Sequence, residues 1–105
     1  MEILKQADLV RLHGAAEEAS KLLKVIANRD RLVLLCQMTR EECSVSELEA
    51  MTGVQQPTLS QQLTVLRNKG LVNTRRDGKQ IYYSIASNEV QAVLQVLYQL
   101  YCPKE

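Results

Sequence analysis

Residues 44–85 read "SVSELEAMTGVQQPTLSQQLTVLRNKGLVNTRRDGKQIYYSI" and contain the pattern that decides the fold. Near the start of this stretch, Ser46 is followed three residues later by Glu49, a spacing typical of a capping box at a helix N-terminus. Gly53 suits the left-handed conformation that often ends a helix, so this helix is predicted to end at Thr52. A short helix followed by a turn is therefore expected.

A second helix and a hairpin are predicted after the turn. Pro57 suits the first turn of a helix, and Gly70 suits its C-terminal cap. Between them, the residues that share one apolar face are Leu59, Leu63 and Leu66. Two β-rich runs flank Asp77-Gly78, a strong short-range hairpin signal. The order helix, turn, helix and hairpin is typical of a winged helix–turn–helix.

Helical periodicity dominates the rest of the chain. It predicts helices over roughly residues 8–27, 30–39 and 88–102. The expected fold is mainly α with a small β-hairpin wing, in a single domain that spans residues 1–105. No signal peptide and no apolar run of membrane-spanning length is visible, so a cytoplasmic protein without a membrane partner is predicted.

Charge is unevenly distributed along the chain. The formal net charge is only +1, yet residues 53–85 hold five basic side chains and one acidic side chain. A basic segment in a nearly neutral chain indicates a local contact with a polyanion. An enzyme is not favoured, because no nucleophile–base motif and no Gly-rich phosphate loop is present. The remaining alternatives are an interaction module that has lost DNA readout and a small helical domain with a solvated basic hairpin.

The second helix of the motif is the predicted recognition helix, because its outer residues are neutral and polar. Such side chains read base edges through directed hydrogen bonds, and the N-terminal residues of the helix reach the bases. The candidates for base contacts are Gln56, Thr58, Ser60 and Gln61. Basic wing residues suit phosphates or the minor groove. These candidates are Arg75, Arg76 and Lys79.

The 44–85 stretch resembles the winged helix–turn–helix of the ArsR family of bacterial repressors. The family typically shows a Ser-Gln-Ser-Thr-x-Ser-x-His-Leu-like stretch, an "LR..GLV" step and a wing that ends in Tyr-x-Ile. The likeness extends over roughly residues 20–102. It implies a homodimer that binds double-stranded operator DNA at an imperfect palindrome, with the first and last helices at the interface. A wide apolar arc on the last helix suits that role and comprises Val90, Val93, Leu94, Leu97 and Tyr101.

Two metal sites known in this family are missing from the sequence. The position of the family's Cys-x-Cys is taken by Ser44 and Ser46, and the last helix contains neither His nor Asp. A zinc or soft-metal site needs several nitrogen or sulfur ligands, whereas His13 is the only histidine. We therefore predict no metal and no cofactor. A metal-responsive repressor with an unrecognised site remains an alternative.

The three cysteines indicate which chemical signal the predicted repressor could sense. Cys36 and Cys102 match the pair found in the ArsR subgroup that includes BigR, SqrR and YgaV, with HlyU nearby. The resemblance implies that reactive sulfur species or oxidants link the two thiols, directly or through extra sulfur atoms, and release the operator. From its residue pattern alone, Cys36 lies on the apolar face of its helix and is interpreted as a small core residue rather than a reactive thiol. Cys43 departs from the subgroup pattern and is predicted to be a bystander. An HlyU-like anti-repressor is the second alternative.

Overall fold

The computed structural model describes residues 6–102. Its five helices are α1 (Gln6–Ile26), α2 (Arg29–Met38), α3 (Val45–Thr52), α4 (Thr58–Asn68) and α5 (Asn88–Tyr101). Its three strands are β1 (Cys43–Ser44), β2 (Val72–Asp77) and β3 (Gln80–Ile85). The predicted fold class, mainly helical with a small β wing, is confirmed.

The predicted start of α3 is wrong by two residues. The N-cap is Ser44, whose Oγ accepts the Glu47 N–H at 3.2 Å, while Glu47 Oε1 accepts the Ser44 N–H at 2.9 Å. Both Ser44 with Glu47 and Ser46 with Glu49 satisfy the Ser-x-x-Glu pattern. The strand β1 decides between them, because it holds Ser44 in the extended conformation that an N-cap needs. The predicted end is confirmed, since Gly53 is left-handed with φ of 76°.

The predicted recognition helix, α4, lies between Pro57, which is its N-cap rather than part of its first turn, and Gly70. At its C-terminal end Gly70 adopts φ of 75°, and the backbone N–H groups of Gly70 and Leu71 donate to the carbonyls of Arg67 and Leu66. These two bonds form a Schellman motif, which satisfies carbonyls that the helix leaves unpaired. The predicted apolar face is fully inside the protein and comprises Leu59, Leu63 and Leu66.

The wing is an antiparallel hairpin joined by a third strand that the sequence did not reveal. The strand order is β1-β3-β2. Asp77 pairs with Gln80, so the turn consists of Gly78 and Lys79, one residue later than the Asp-Gly signal suggested. Gly78 has φ of 63°, which suits the first central position of a tight hairpin turn.

The core lies between α2, α3, α4, α5 and the inner face of the sheet, and α1 extends away from it. The Cα radius of gyration is 16.2 Å, whereas a compact domain of this length has about 13 Å. Residues 11–21 of α1 are all exposed. One stripe of that helix leaves large apolar side chains in solvent: Leu9, Leu12 and Leu23. This chain alone does not cover its first helix.

Part of the predicted interface on α5 belongs to the protomer's own core. Val90 is 4% exposed and Leu94 is 1% exposed within the single chain, so we assign both to internal packing. They lie on the α5 face that contacts α2 and the sheet. Val93 and Leu97 are half-buried, and Tyr101 is exposed. The apolar surface that α5 leaves uncovered also includes Val96 and Leu100.

Candidate DNA interface and cysteine groove

The polar residues predicted to read bases lie together at the N-terminal end of α4. Because the leucines of this helix point inward, the residues between them face outward. Gln56, Ser60 and Gln61 are exposed, and Thr58 is half-buried. The site therefore presents hydrogen-bonding groups of neutral charge on a surface that a DNA major groove could receive.

These polar residues differ in the hydrogen bonds that they make within the protein. Gln56 Oε1 accepts the backbone N–H of Ser60 at 3.1 Å, so this carboxamide caps the first turn of α4. Thr64 Oγ1 donates to the Ser60 carbonyl at 2.8 Å, one turn later. No hydrogen bond within residues 6–102 uses the Gln61 side chain. Among the described residues, the Gln61 side chain, like those of Thr58 and Ser60, therefore keeps its hydrogen-bonding groups available to an outside partner.

Arg31, which belongs to α2, links α1 to α4, a role that the sequence did not suggest. Its Nε donates to the carbonyl of Val25 at the end of α1, and its Nη1 donates to Gln62 Oε1 at 2.9 Å. Gln62 lies next to Gln61 but on the half-buried side of α4. This link orients the recognition helix relative to α1 and α2. Nothing in the spacing of Arg31 and Gln62 signals such a contact.

The three basic residues of the wing fall into two groups. Arg76 and Lys79 are exposed at or beside the turn. Arg75 is instead engaged by Glu42, with Nη2–Oε1 at 2.7 Å and Nε–Oε2 at 3.0 Å. This bonding lowers the pKa of the Glu42 carboxyl and raises the pKa of Arg75. The Arg75 guanidinium also lies 4.7 Å from the centre of the Tyr82 ring.

Cys36 and Cys102 line a single groove between α2, α3 and the end of α5. The groove has a volume of about 530 Å³. Cys36 is half-buried and packs against the core, as its apolar helix face suggested, while Cys102 is exposed. The other side chains that line the groove include Val33, Met51, Leu97, Tyr98 and Tyr101. Two thiols that are 66 positions apart in sequence therefore share one surface concavity.

The groove favours the neutral form of the Cys36 thiol. Burial raises its pKa, and the neighbouring Cys102 raises it further, because two thiolates at close range repel each other. A cation lies in the same region: Arg40 is 5.9 Å from the centre of the Tyr98 ring and donates to the Tyr98 hydroxyl at 3.3 Å. Arg40 lines the groove together with both cysteines.

Cys43 lies elsewhere and is inaccessible. Its exposure is 0%, it belongs to β1, and its thiol donates to the Glu41 carbonyl at 3.3 Å. Burial raises the pKa of Cys43, as do the carboxylates of Glu47, Glu41 and Glu42. A buried, protonated thiol is a poor nucleophile, which agrees with the prediction of a bystander.

Between residues 6 and 102, no group of three or more His, Cys, Asp or Glu side chains is arranged to hold a metal ion. At the position of the family's Cys-x-Cys, the hydroxyls of Ser44 and Ser46 lie 3.2 Å apart, and Ser44 serves as the N-cap of α3. None of the helices in this described part is long and apolar enough to cross a membrane.

Comparison with known proteins identifies the family. Residues 28–74 match the model of the arsR family of bacterial regulatory proteins. The Biofilm growth-associated repressor of Agrobacterium fabrum is 47% identical over 97 residues, which are 92% of this chain and 83% of that protein. The crystal structure of the repressor BigR from Xylella fastidiosa is 40% identical, with a TM-score of 0.85 over 96% of this chain and 100% of the other.

A second solved structure lies in the same subgroup. Reduced HlyU from Vibrio cholerae is 40% identical, with a TM-score of 0.84 over 89% of this chain and 98% of the other. These relatives are named as transcriptional regulators, and no enzyme is among them. The chain belongs to the ArsR family of bacterial transcriptional regulators, in the subgroup that contains BigR and HlyU.

Proposed function

We propose that this protein is a homodimeric repressor that releases its operator when Cys36 and Cys102 become linked by a reactive sulfur species or an oxidant. The observation that carries the proposal is the shared groove, in which the exposed thiol of Cys102, the C-cap of α5, lines the same space as the half-buried thiol of Cys36 on α2. No other pair among the three cysteines shares such a surface, because Cys43 is enclosed. The protein acts in the cytoplasm as a single domain, residues 1–105.

The chemistry needs only a persulfide donor, R–S–SH, as the co-reactant. The exposed Cys102 thiolate attacks the outer sulfur of the donor, which gives Cys102–S–SH and releases RS⁻. Cys36 then loses its proton and attacks the Cys102 sulfur, so that a disulfide forms and HS⁻ leaves. Attack on the outer sulfur would instead give Cys36–S–SH and release the Cys102 thiolate. A second donor molecule extends Cys102–S–SH to Cys102–S–S–SH and releases RS⁻; attack of Cys36 on the middle sulfur then forms a trisulfide bridge and releases HS⁻. Hydrogen peroxide gives the same disulfide through a sulfenic acid, with water as the leaving group.

The bridge would act on DNA through α2 and α5. Helix α2 packs against α3 and α4, and α5 packs against α2 and the wing strand β3. A covalent link between α2 and the end of α5 therefore constrains the elements that support both the recognition helix and the wing. A difference of about 1–3 kcal/mol in operator affinity between the two states gives roughly 5- to 150-fold regulation.

Treatment of the reduced dimer with a persulfide donor tests the proposal, followed by a gel shift and by mass spectrometry of linked peptides. We expect a Cys36–Cys102 cross-link and weaker operator binding. Cys36→Ser and Cys102→Ser should remain bound to DNA under the same treatment, whereas the matched control Cys43→Ser should respond as the wild type does. Full release by the Cys102→Ser protein would reject the two-cysteine switch.

Homodimerisation is proposed on the exposed stripe of α1 and the uncovered face of α5. Regulators of the ArsR family bind operator DNA as homodimers. Large apolar side chains at 50% exposure or more, such as Leu12, Leu23 and Leu100, are removed from water if a twin chain covers them. A dimer also supplies the two recognition helices that an imperfect palindrome requires.

An HlyU-like role is the second candidate, and the close likeness to reduced HlyU favours it. In that case the protein would displace another repressor rather than block transcription itself. A reporter gene under the native promoter separates the two roles. Deletion of the regulator should raise expression if it is a repressor, and should lower expression if it is an anti-repressor.

A further inference from the structure

The three strands of the wing sheet are crossed by one line of side chains. Arg75 on β2 pairs with Tyr82 on β3, and Tyr82 pairs on its other side with Ser44 on β1. The Arg75 side chain passes over the Tyr82 ring at 4.7 Å and ends at Glu42, which precedes β1. We call Arg75, Tyr82 and Glu42 the cross-sheet ladder.

The ladder strengthens a short attachment of the wing to the body of the protein. The strand β1 is only two residues long and contributes two residue pairs to the sheet. On the other edge, β2 pairs with β3 over six residue pairs, so the hairpin itself is well formed. The orientation of that hairpin relative to the body depends on β1 and on the helices that contact β2 and β3, which are α2, α3, α4 and α5. A bidentate Arg–carboxylate bond combined with a stacked ring adds a directional contact at that junction.

The surroundings of Arg75 are unfavourable for a phosphate. Its guanidinium donates to Glu42 through Nε and Nη2, and its Nη1 lies 3.9 Å from Asp77 Oδ2. Two carboxylates beside this cation repel an approaching phosphate group. Arg76 has a different environment, since the one hydrogen bond of its side chain among the described residues is a long contact to the Gly78 carbonyl at 3.4 Å.

We propose that Arg75 and Glu42 are positioning residues for operator binding: the ladder sets the angle at which the wing presents Arg76 and Lys79 to DNA. Arg75 is thereby removed from the predicted phosphate contacts and becomes part of the wing support. The inference rests on the DNA-binding part of the proposed function and is independent of the cysteine switch. Glu42 lies in the segment that follows α2, so the support begins close to the helix that carries Cys36.

Charge-conserving variants separate positioning from phosphate contact. Lysine keeps the charge of arginine but cannot form the bidentate bond or the same stack. The measurement is fluorescence anisotropy of the reduced protein on a duplex that it has selected from a random library. We expect Arg75→Lys to weaken binding about three- to fivefold, in the range of an exposed but well-oriented ion pair. The matched control Arg76→Lys should stay within about twofold of the wild type, because a phosphate accepts either cation.

Substitution of Glu42, the carboxylate partner of Arg75, decides between a positioning role and a phosphate contact. If the ladder positions the wing, Glu42→Gln weakens binding as Arg75→Lys does, and the double variant is no worse than either single variant. If Arg75 contacts phosphate instead, Glu42→Gln removes a competing negative charge and strengthens binding. Tighter binding by Glu42→Gln, or wild-type binding by Arg75→Lys, would overturn the proposal.

Hydrogen exchange gives a readout that does not depend on DNA. The amides of β1 and β3 that bridge the two strands should exchange faster in Glu42→Gln and Arg75→Lys than in the wild type and in Arg76→Lys. Unchanged exchange in both ladder variants would refute the positioning role, even if the protein bound no selected duplex. Failure of the wild type to bind any duplex, with faster exchange in the ladder variants, would instead count against the proposed function alone.

Discussion

Residues of the same type that lie near one another in this protein differ in their hydrogen-bond partners. These differences indicate different roles. Gln56 caps the first turn of α4, whereas Gln61 makes no side-chain hydrogen bond within the described chain. Arg75 is bound by Glu42, whereas Arg76 is exposed beside the turn. Removal of the Gln61 side chain should therefore affect base recognition without affecting the helix itself.

Gln61→Ala should weaken binding to the selected operator more than binding to random DNA. One lost base contact reduces discrimination by about 1–3 kcal/mol. The helix should remain intact, because alanine is a better helix former than glutamine. Fluorescence anisotropy on both duplexes measures the ratio of affinities. Gln95→Ala removes an exposed glutamine from α5 and serves as the control; a similar loss on both duplexes for Gln61→Ala would exclude that residue from base readout.

At the scale of elements, α1 and α5 differ in how much of their apolar surface the single chain covers. Helix α5 buries Val90 and Leu94 in the protomer, so its inner face is already used. Helix α1 packs only near its C-terminal end, where Val25 and Ile26 are buried. The exposed stripe of α1 is therefore the element whose contacts depend most on a second chain.

Leu12→Asp should yield monomers that keep their secondary structure. Leu12 is 50% exposed in the protomer, so the new carboxylate meets water in the monomer and an apolar surface in the proposed dimer. Analytical ultracentrifugation measures the assembly state and circular dichroism measures helix content. Ile81→Asp changes an exposed apolar residue of the wing and should remain dimeric. A Leu12→Asp dimer of normal stability would place the interface elsewhere.

The elements that local signals specify could be predicted from the sequence, and those that tertiary contacts specify could not. Gly53, Gly70 and the leucines of α4 act within one helix or one turn, and their predicted places are confirmed. The two-residue strand β1 has no periodicity to detect, so it was missed, and the capping box was consequently assigned to Ser46. The role of Glu42 likewise has no local signal, since its partner Arg75 lies 33 positions away. The pair Cys36 and Cys102 was identified by resemblance; the shared groove is what the structure adds.

At the scale of the whole molecule, the described chain is elongated, with principal extents of 53 × 34 × 21 Å. The proposed redox-sensing site and the proposed DNA-binding site lie on different parts of it. The cysteine groove is formed by α2, α3 and the end of α5, whereas the residues proposed to contact DNA lie on α4 and the wing. Helix α2 contacts α3, α4, α5 and β3, so it is the element that both regions share. A bridge at Cys36 would therefore act at the centre of the fold.

Because Cys43 is completely buried, the rate at which its thiol is alkylated reports how often the folded protein opens. An alkylating reagent reaches it only when β1 leaves the sheet, so its labelling rate is the rate for the unfolded peptide multiplied by the population of the open state. Each 1.4 kcal/mol of opening free energy slows labelling about tenfold, and a domain of ordinary stability should slow it by at least about a thousandfold. In a Cys36→Ser/Cys102→Ser protein, mass spectrometry would record this single reaction. Operator DNA should slow it further by mass action, whereas labelling faster than global unfolding allows would mean that the β1 edge opens on its own.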